Sequence, residues 1–103
     1  MQITDTRVRL LEASDKLRAV ASVTFDDCFV VHDIKVIEGS NGTFVAMPSR
    51  KMGDDDFRDI AHPINQETRD MVRDAVLRKY DEALRERMQL SDEEAEKIAA
   101  RFF

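Results

Sequence analysis

Apolar and polar residues alternate along the first quarter of the chain. Thr4, Thr6, Val8 and Leu10 alternate with Asp5, Arg7 and Arg9, the two-residue period of a strand with one buried face. Ile3 falls out of phase with this set, which predicts a bulge or an early start to the strand. Ala13-Ser14-Asp15-Lys16 reads as a hairpin turn. A second strand follows, with Leu17, Ala19, Ala21, Val23 and Phe25 on one side and Arg18, Ser22 and Thr24 on the other. Asp26-Asp27 is a tight turn of the short hairpin kind. The stretch from Cys28 to Ile37 is rich in β-branched and apolar residues and predicts a third, more buried strand. After a turn at Glu38–Gly42, Phe44–Met47 forms a short apolar strand that Pro48 ends.

The next segment carries no such pattern. Ser49–Asp56 holds Arg50, Lys51, Gly53 and three aspartates around a single apolar residue, Met52, and predicts an exposed, mobile loop. Arg58–His62 is a short edge strand closed by Pro63.

From Asn65 onward the period becomes helical. Asn65 is a suitable N-cap, and Glu67 suits the positive end of the helix dipole. Val72, Val76, Tyr80, Leu84 and Met88 recur every four residues as one apolar stripe, joined by Ala75 and Ala83. Asp74 with Arg78, and Asp81 with Arg85, have the spacing of ion pairs along the exposed side. Ser91-Asp92-Glu93-Glu94 has the form of a capping box and predicts a second helix bearing Ala95, Ile98, Ala99 and Phe102. The fold class expected is therefore α+β: an antiparallel sheet of four or five strands, then a long helix and a short C-terminal helix. Its 103 residues amount to one domain, 1–103, with a helical extension over 81–103.

Charge changes the picture more than composition does. Charged residues make up 36% of the chain and the net charge is −5, so any surface for a polyanion must be a local patch. Residues 1–80 hold 12 Lys/Arg against 14 Asp/Glu, and residues 81–103 hold 4 against 7, which puts more than half of the net acidity in the C-terminal fifth. A single cysteine, Cys28, excludes an intrachain disulfide and fits a reducing cytoplasm. Neither a signal-peptide pattern at Met1–Asp5 nor an apolar run of membrane-spanning length is present, so a cytoplasmic protein is expected.

Several residue sets invite a chemical reading. Arg69 and Arg73 are four apart and share a helix face, and with Arg50 and Lys51 they would track one phosphate backbone; the competing reading is solvated surface charge paired with nearby aspartates. Cys28 and His32 would share a side of a regular strand, as a nucleophile–base or metal-ligand pair would. Their neighbours Val30, Ile34 and Val36 favour a buried inert thiol and a satisfied histidine instead. His62 near Asp59 has the makings of an acid–base pair, but no nucleophile accompanies it, so a hydrogen bond to the backbone at the helix entry is favoured. Asp54-Asp55-Asp56 lacks the alternating ligands of a calcium loop and reads as a solvated acidic loop. No convergent catalytic set, cofactor motif or metal spacing is present, so neither an enzyme nor a small-molecule substrate is expected.

Three stretches together resemble the stage V sporulation protein G family of bacterial septation regulators. They are Met1-Gln2-Ile3-Thr4-Asp5 with Arg7-Val8-Arg9, then Phe29–Ile34 running to Gly42–Lys51, then Phe57–Asn65 with Thr68-Arg69 and Asp74–Leu77. The resemblance spans roughly residues 1–80. It implies a small antiparallel sheet with a helix against it, a homodimer formed partly through strands, and binding of DNA and RNA by a regulator of division and sporulation. By analogy the nucleic-acid-binding residues are Arg50 and Lys51, Arg69 and Arg73, with Arg58 nearby. Asp70 and Met71 stand where members of the family often carry Gly and Lys, and the Asp54–Asp56 loop is more acidic than usual. The alternative function is a non-catalytic protein-interaction module acting through the acidic surface and a sheet edge.

Overall fold

The computed structural model describes residues 1–11 and 16–102, the side chains of residues 89–102 excepted. Four strands form one antiparallel sheet in sequence order: β1 (Ile3–Leu10), β2 (Leu17–Phe25), β3 (Phe29–Gly39) and β4 (Gly42–Ala46). The expected bulge is present, for the β1–β2 register shifts between Ile3 and Asp5. The first hairpin turn, at Ala13–Asp15, lies outside the described residues.

Asp26, Asp27 and Cys28 connect β2 to β3, with φ of 50° and 53° at the two aspartates. Two successive positive φ values at the centre of a tight turn follow the twist of the flanking strands. The Cys28 N–H donates to the Phe25 carbonyl at 3.0 Å and closes the turn. Neighbouring groups hold it in place. The Gln2 N–H donates to the Asp26 carboxylate at 2.8 Å, and the Asp27 N–H donates to Thr4 Oγ1 at 2.9 Å.

Strand β3 departs from the expectation of uniform burial. Its pairing with β2 passes from Ala21↔Ile34 to Val23↔Val31, so one extra β3 residue is bulged out, and Asp33 takes φ of 61°. A bulge reverses which side chains face the core. Ile34 and Val36 are therefore buried, while Val30 and His32, in phase with them by count, are exposed, as is Cys28. The expectation of a buried thiol and histidine is thus corrected: Cys28 ends the turn before the strand begins, and the bulge turns His32 outward.

The core lies on one face of the sheet. Ala19, Ala21, Val23 and Phe25 of β2, with Ile34 and Val36 of β3, pack against Val72 and Val76 of the helix. That helix, α1 (Gln66–Phe102), is continuous over 37 residues, so the separate short C-terminal helix does not form. Its sequence contains neither Gly nor Pro, and the Ser91 box has no break to cap. At 1.5 Å per residue α1 is about 55 Å long, far longer than the strands it packs on. The apolar stripe follows from this mismatch: Val72 and Val76 are buried, Tyr80 and Leu84 half-buried, and Met88 exposed. The side chains of Ala95, Ile98 and Phe102 lie outside the described residues.

The expected loop is confined to residues 52–56, and the strands on either side of it do not join the main sheet. Strands β5 (Ser49–Lys51) and β6 (Phe57–Asp59) pair only with each other, as a separate antiparallel hairpin. With no apolar alternation to bury, this hairpin is held by backbone bonds. The Met52 N–H donates to the Asp56 carbonyl at 2.6 Å, and the Ile60 N–H donates to the Pro48 carbonyl at 2.8 Å.

Candidate nucleic-acid interface

Backbone register positions the cations of the β5–β6 hairpin. Arg50 pairs with Arg58, Lys51 with Phe57, and Ser49 with Asp59. Directly opposed residues point to the same face, so Arg50 and Arg58 stand side by side and Lys51 projects from the other face. All three cations are exposed. Among the described residues their one ion pair runs from Arg58 Nε to Asp56, at 3.7 Å. Arg50 and Lys51 form no ion pair among the described residues. Sequence reasoning grouped Arg50 with Lys51 because they are adjacent; the ladder groups Arg50 with Arg58.

The helix cations are held differently. Asn65 caps α1 as expected: its side-chain oxygen accepts from the Thr68 N–H at 2.7 Å, and its carbonyl accepts from the Arg69 N–H at 3.1 Å. Arg69 Nη2 donates to the Pro63 carbonyl at 3.2 Å, which ties its guanidinium to the chain entering the helix. Four residues on, Arg73 lies between two carboxylates, 3.1 Å from both Asp70 and Asp74. It shares a helix face with Arg69, but its charge is spoken for, and Asp74 is drawn to it rather than to Arg78. Neither the Asp74–Arg78 nor the Asp81–Arg85 pair forms among the described residues; Lys79 pairs with Glu82 at 3.5 Å. The freest cations of the expected set are therefore Arg50 and Lys51.

His62 matches its structural reading, with Nδ1 3.0 Å from the Pro63 carbonyl. It also lines an apolar cleft of about 190 Å³ between the sheet and the start of α1, together with Phe25, Phe29, Met47 and Val72. On the arm formed by the β5–β6 hairpin, and just beyond it, several large apolar side chains are exposed: Phe57 at 64%, Ile60 at 69% and Ile64 at 92%. No group of three or more His, Cys, Asp or Glu side chains able to hold a metal occurs among the described residues. Among them, too, no helix is long and apolar enough to cross a membrane.

The sequence model of the SpoVG family matches residues 1–82 of the chain. Among individual relatives, a protein of Caldicellulosiruptor bescii named "Putative septation protein SpoVG" is 63% identical over 81 residues, which cover 79% of this chain and 92% of the relative. One of the same name in Alkaliphilus oremlandii is 59% identical over 95 residues, covering 92% and 97%. Another in Clostridioides difficile is 63% identical over 84 residues, covering 82% and 91%.

Proposed function

The chain belongs to the SpoVG family, and on that footing we propose that it is a non-catalytic regulator of septation or sporulation that binds DNA, and RNA as well, as a cytoplasmic homodimer. The observation that carries this reading is the pairing of Arg50 with Arg58 on a hairpin standing clear of the main sheet. Two like charges held side by side repel one another, and a bound phosphate turns that repulsion into attraction. Lys51 on the opposite face reaches a second phosphate, and Arg69 at the start of α1 extends the contact. Arg73 joins only when its carboxylate partners release it. Phosphate contacts of this kind position a protein on nucleic acid, and guanidinium groups also read base edges.

The dimer has its own support. A lone two-stranded hairpin is marginal in water. This one keeps Phe57 exposed, with Ile60 and Ile64 exposed just beyond it, and a second copy would cover them.

Titrating a labelled 20-base-pair duplex at low and moderate salt tests the function. The expected result is binding that weakens steeply with salt, and an Arg50→Ala/Arg58→Ala variant whose log–log salt slope is smaller by about 0.9 per lost phosphate contact. If neither DNA nor RNA produces salt-sensitive binding, the protein-interaction module is the correct reading.

A further inference from the structure

Helix α1 covers one face of the four-stranded sheet, and among the described residues no element packs on the other. That open face carries two cations, Arg9 and Lys35, that stand across its centre. The register places Arg9, Val20, Lys35 and Ala46 in one row across all four strands. Neighbouring strands lie about 4.8 Å apart, so the backbones of Arg9 and Lys35 are about 10 Å apart with Val20 between them. Neither cation forms an ion pair among the described residues. The next row begins with Arg7, paired to Asp5 at 3.0 Å, and Ser22, with His32 displaced outward by the bulge. Shallow grooves run here, where Arg7, Arg9 and His32 share the lining with Asp5, Asp27 and Asp33. On the other side of the Arg9–Lys35 row, Ile37 pairs with Phe44. The Phe44 ring is 48% exposed and lies over Gly39, where an added Cβ would sit 3.0 Å from it. A side chain at position 39 would crowd the ring, which has room beside the glycine.

We propose that this open sheet face is a binding platform for single-stranded nucleic acid, with Arg9 and Lys35 neutralising phosphates and the Phe44 ring stacking under a base. The inference rests on the reading of the protein as a nucleic-acid binder, and assigns a second surface to it. On a particle of net charge −5, a row holding two cations without ion pairs among the described residues selects an anionic ligand with repeating charge. The flat, partly apolar surface selects unpaired bases, because a duplex hides its base faces and a single strand offers them to aromatic side chains.

The test uses the full chain with a labelled 20-nucleotide oligo(dT), the matching oligo(rU) and a 20-base-pair duplex at low salt. Arg9→Glu/Lys35→Glu is expected to weaken single-strand binding at least about tenfold, and Phe44→Ala to weaken it about fivefold or more, the loss of one stacked base. Lys35→Arg retains binding, and an unchanged melting curve shows that the variants fold. Comparison of oligo(dT) with oligo(rU) identifies which single strand is preferred. Unchanged single-strand affinity in Arg9→Glu/Lys35→Glu overturns the platform. So does a wild-type protein that binds duplex but neither oligonucleotide, an outcome that leaves the reading of the β5–β6 arm standing. Failure to bind any of the three overturns both.

Discussion

Arg50 and Arg58 occupy directly opposed positions in the β5–β6 ladder, so two guanidinium groups leave one face of a hairpin of three-residue strands together. Like charges in this arrangement destabilise a strand pair by a few tenths to about 1 kcal/mol. Replacing Arg58 with Thr is therefore expected to protect the hairpin amides against hydrogen exchange while weakening binding to a duplex. Opposite movements in the two measurements identify a site that gives up stability for a ligand. Parallel movements, or none, identify ordinary surface charge.

Arg73 is held by Asp70 and Asp74, so its removal alone should change duplex affinity less than twofold. Releasing it should do more. Asp70→Asn/Asp74→Asn frees the guanidinium and removes two negative charges, and a several-fold gain in affinity at low salt, fading as salt rises, is expected. A loss of affinity in that double variant would place the nucleic acid away from the first turns of α1.

The exposed apolar residues of the arm give a prediction about assembly. Phe57→Asp/Ile64→Asp places charge on side chains that are 64% and 92% exposed in the single chain, so the fold itself should tolerate it. The sedimentation mass is expected to fall from that of a dimer to that of a monomer, with β-sheet circular dichroism retained. A mass that does not change shows that these side chains stay in solvent.

Val76 is fully buried where α1 meets the sheet. Val76→Ala should destabilise the fold by about 2 kcal/mol in urea unfolding, from lost transfer energy and the cavity left behind. Met88→Ala, at a position 69% exposed on the same stripe, should change stability by less than about 0.5 kcal/mol. Equal effects at the two positions would mean that the far part of α1 is covered by something beyond this single chain.

Much of the fold was legible in the residues because local signals and tertiary contacts agree there. Period-two alternation located β1 and β2, the phase slip at Ile3 announced a bulge that the register contains, and Asn65 marked the helix start that it caps. The misreadings have separate causes. Extrapolating alternation through β3 buried Cys28 and His32, since a one-residue bulge at Asp33 leaves no mark in the hydrophobic pattern. Residues 49–56 looked structureless because strand β5 rests on backbone pairing, to which side-chain periodicity is blind. The capping box at Ser91 promised a helix boundary, yet a box has no effect when the preceding turn supplies carbonyls to continue.

By itself, the sequence determined the class of fold, the strands of the main sheet, the helix and its cap, since each follows from the spacing of residues close together in the chain. It also placed the cations that give the protein its character. Which of them act together was decided only by the tertiary structure. Strand pairing set Arg50 beside Arg58 and Arg9 in line with Lys35, and helix geometry closed two carboxylates around Arg73. Charges couple through space, and the distances between them exist only once the backbone has chosen its register.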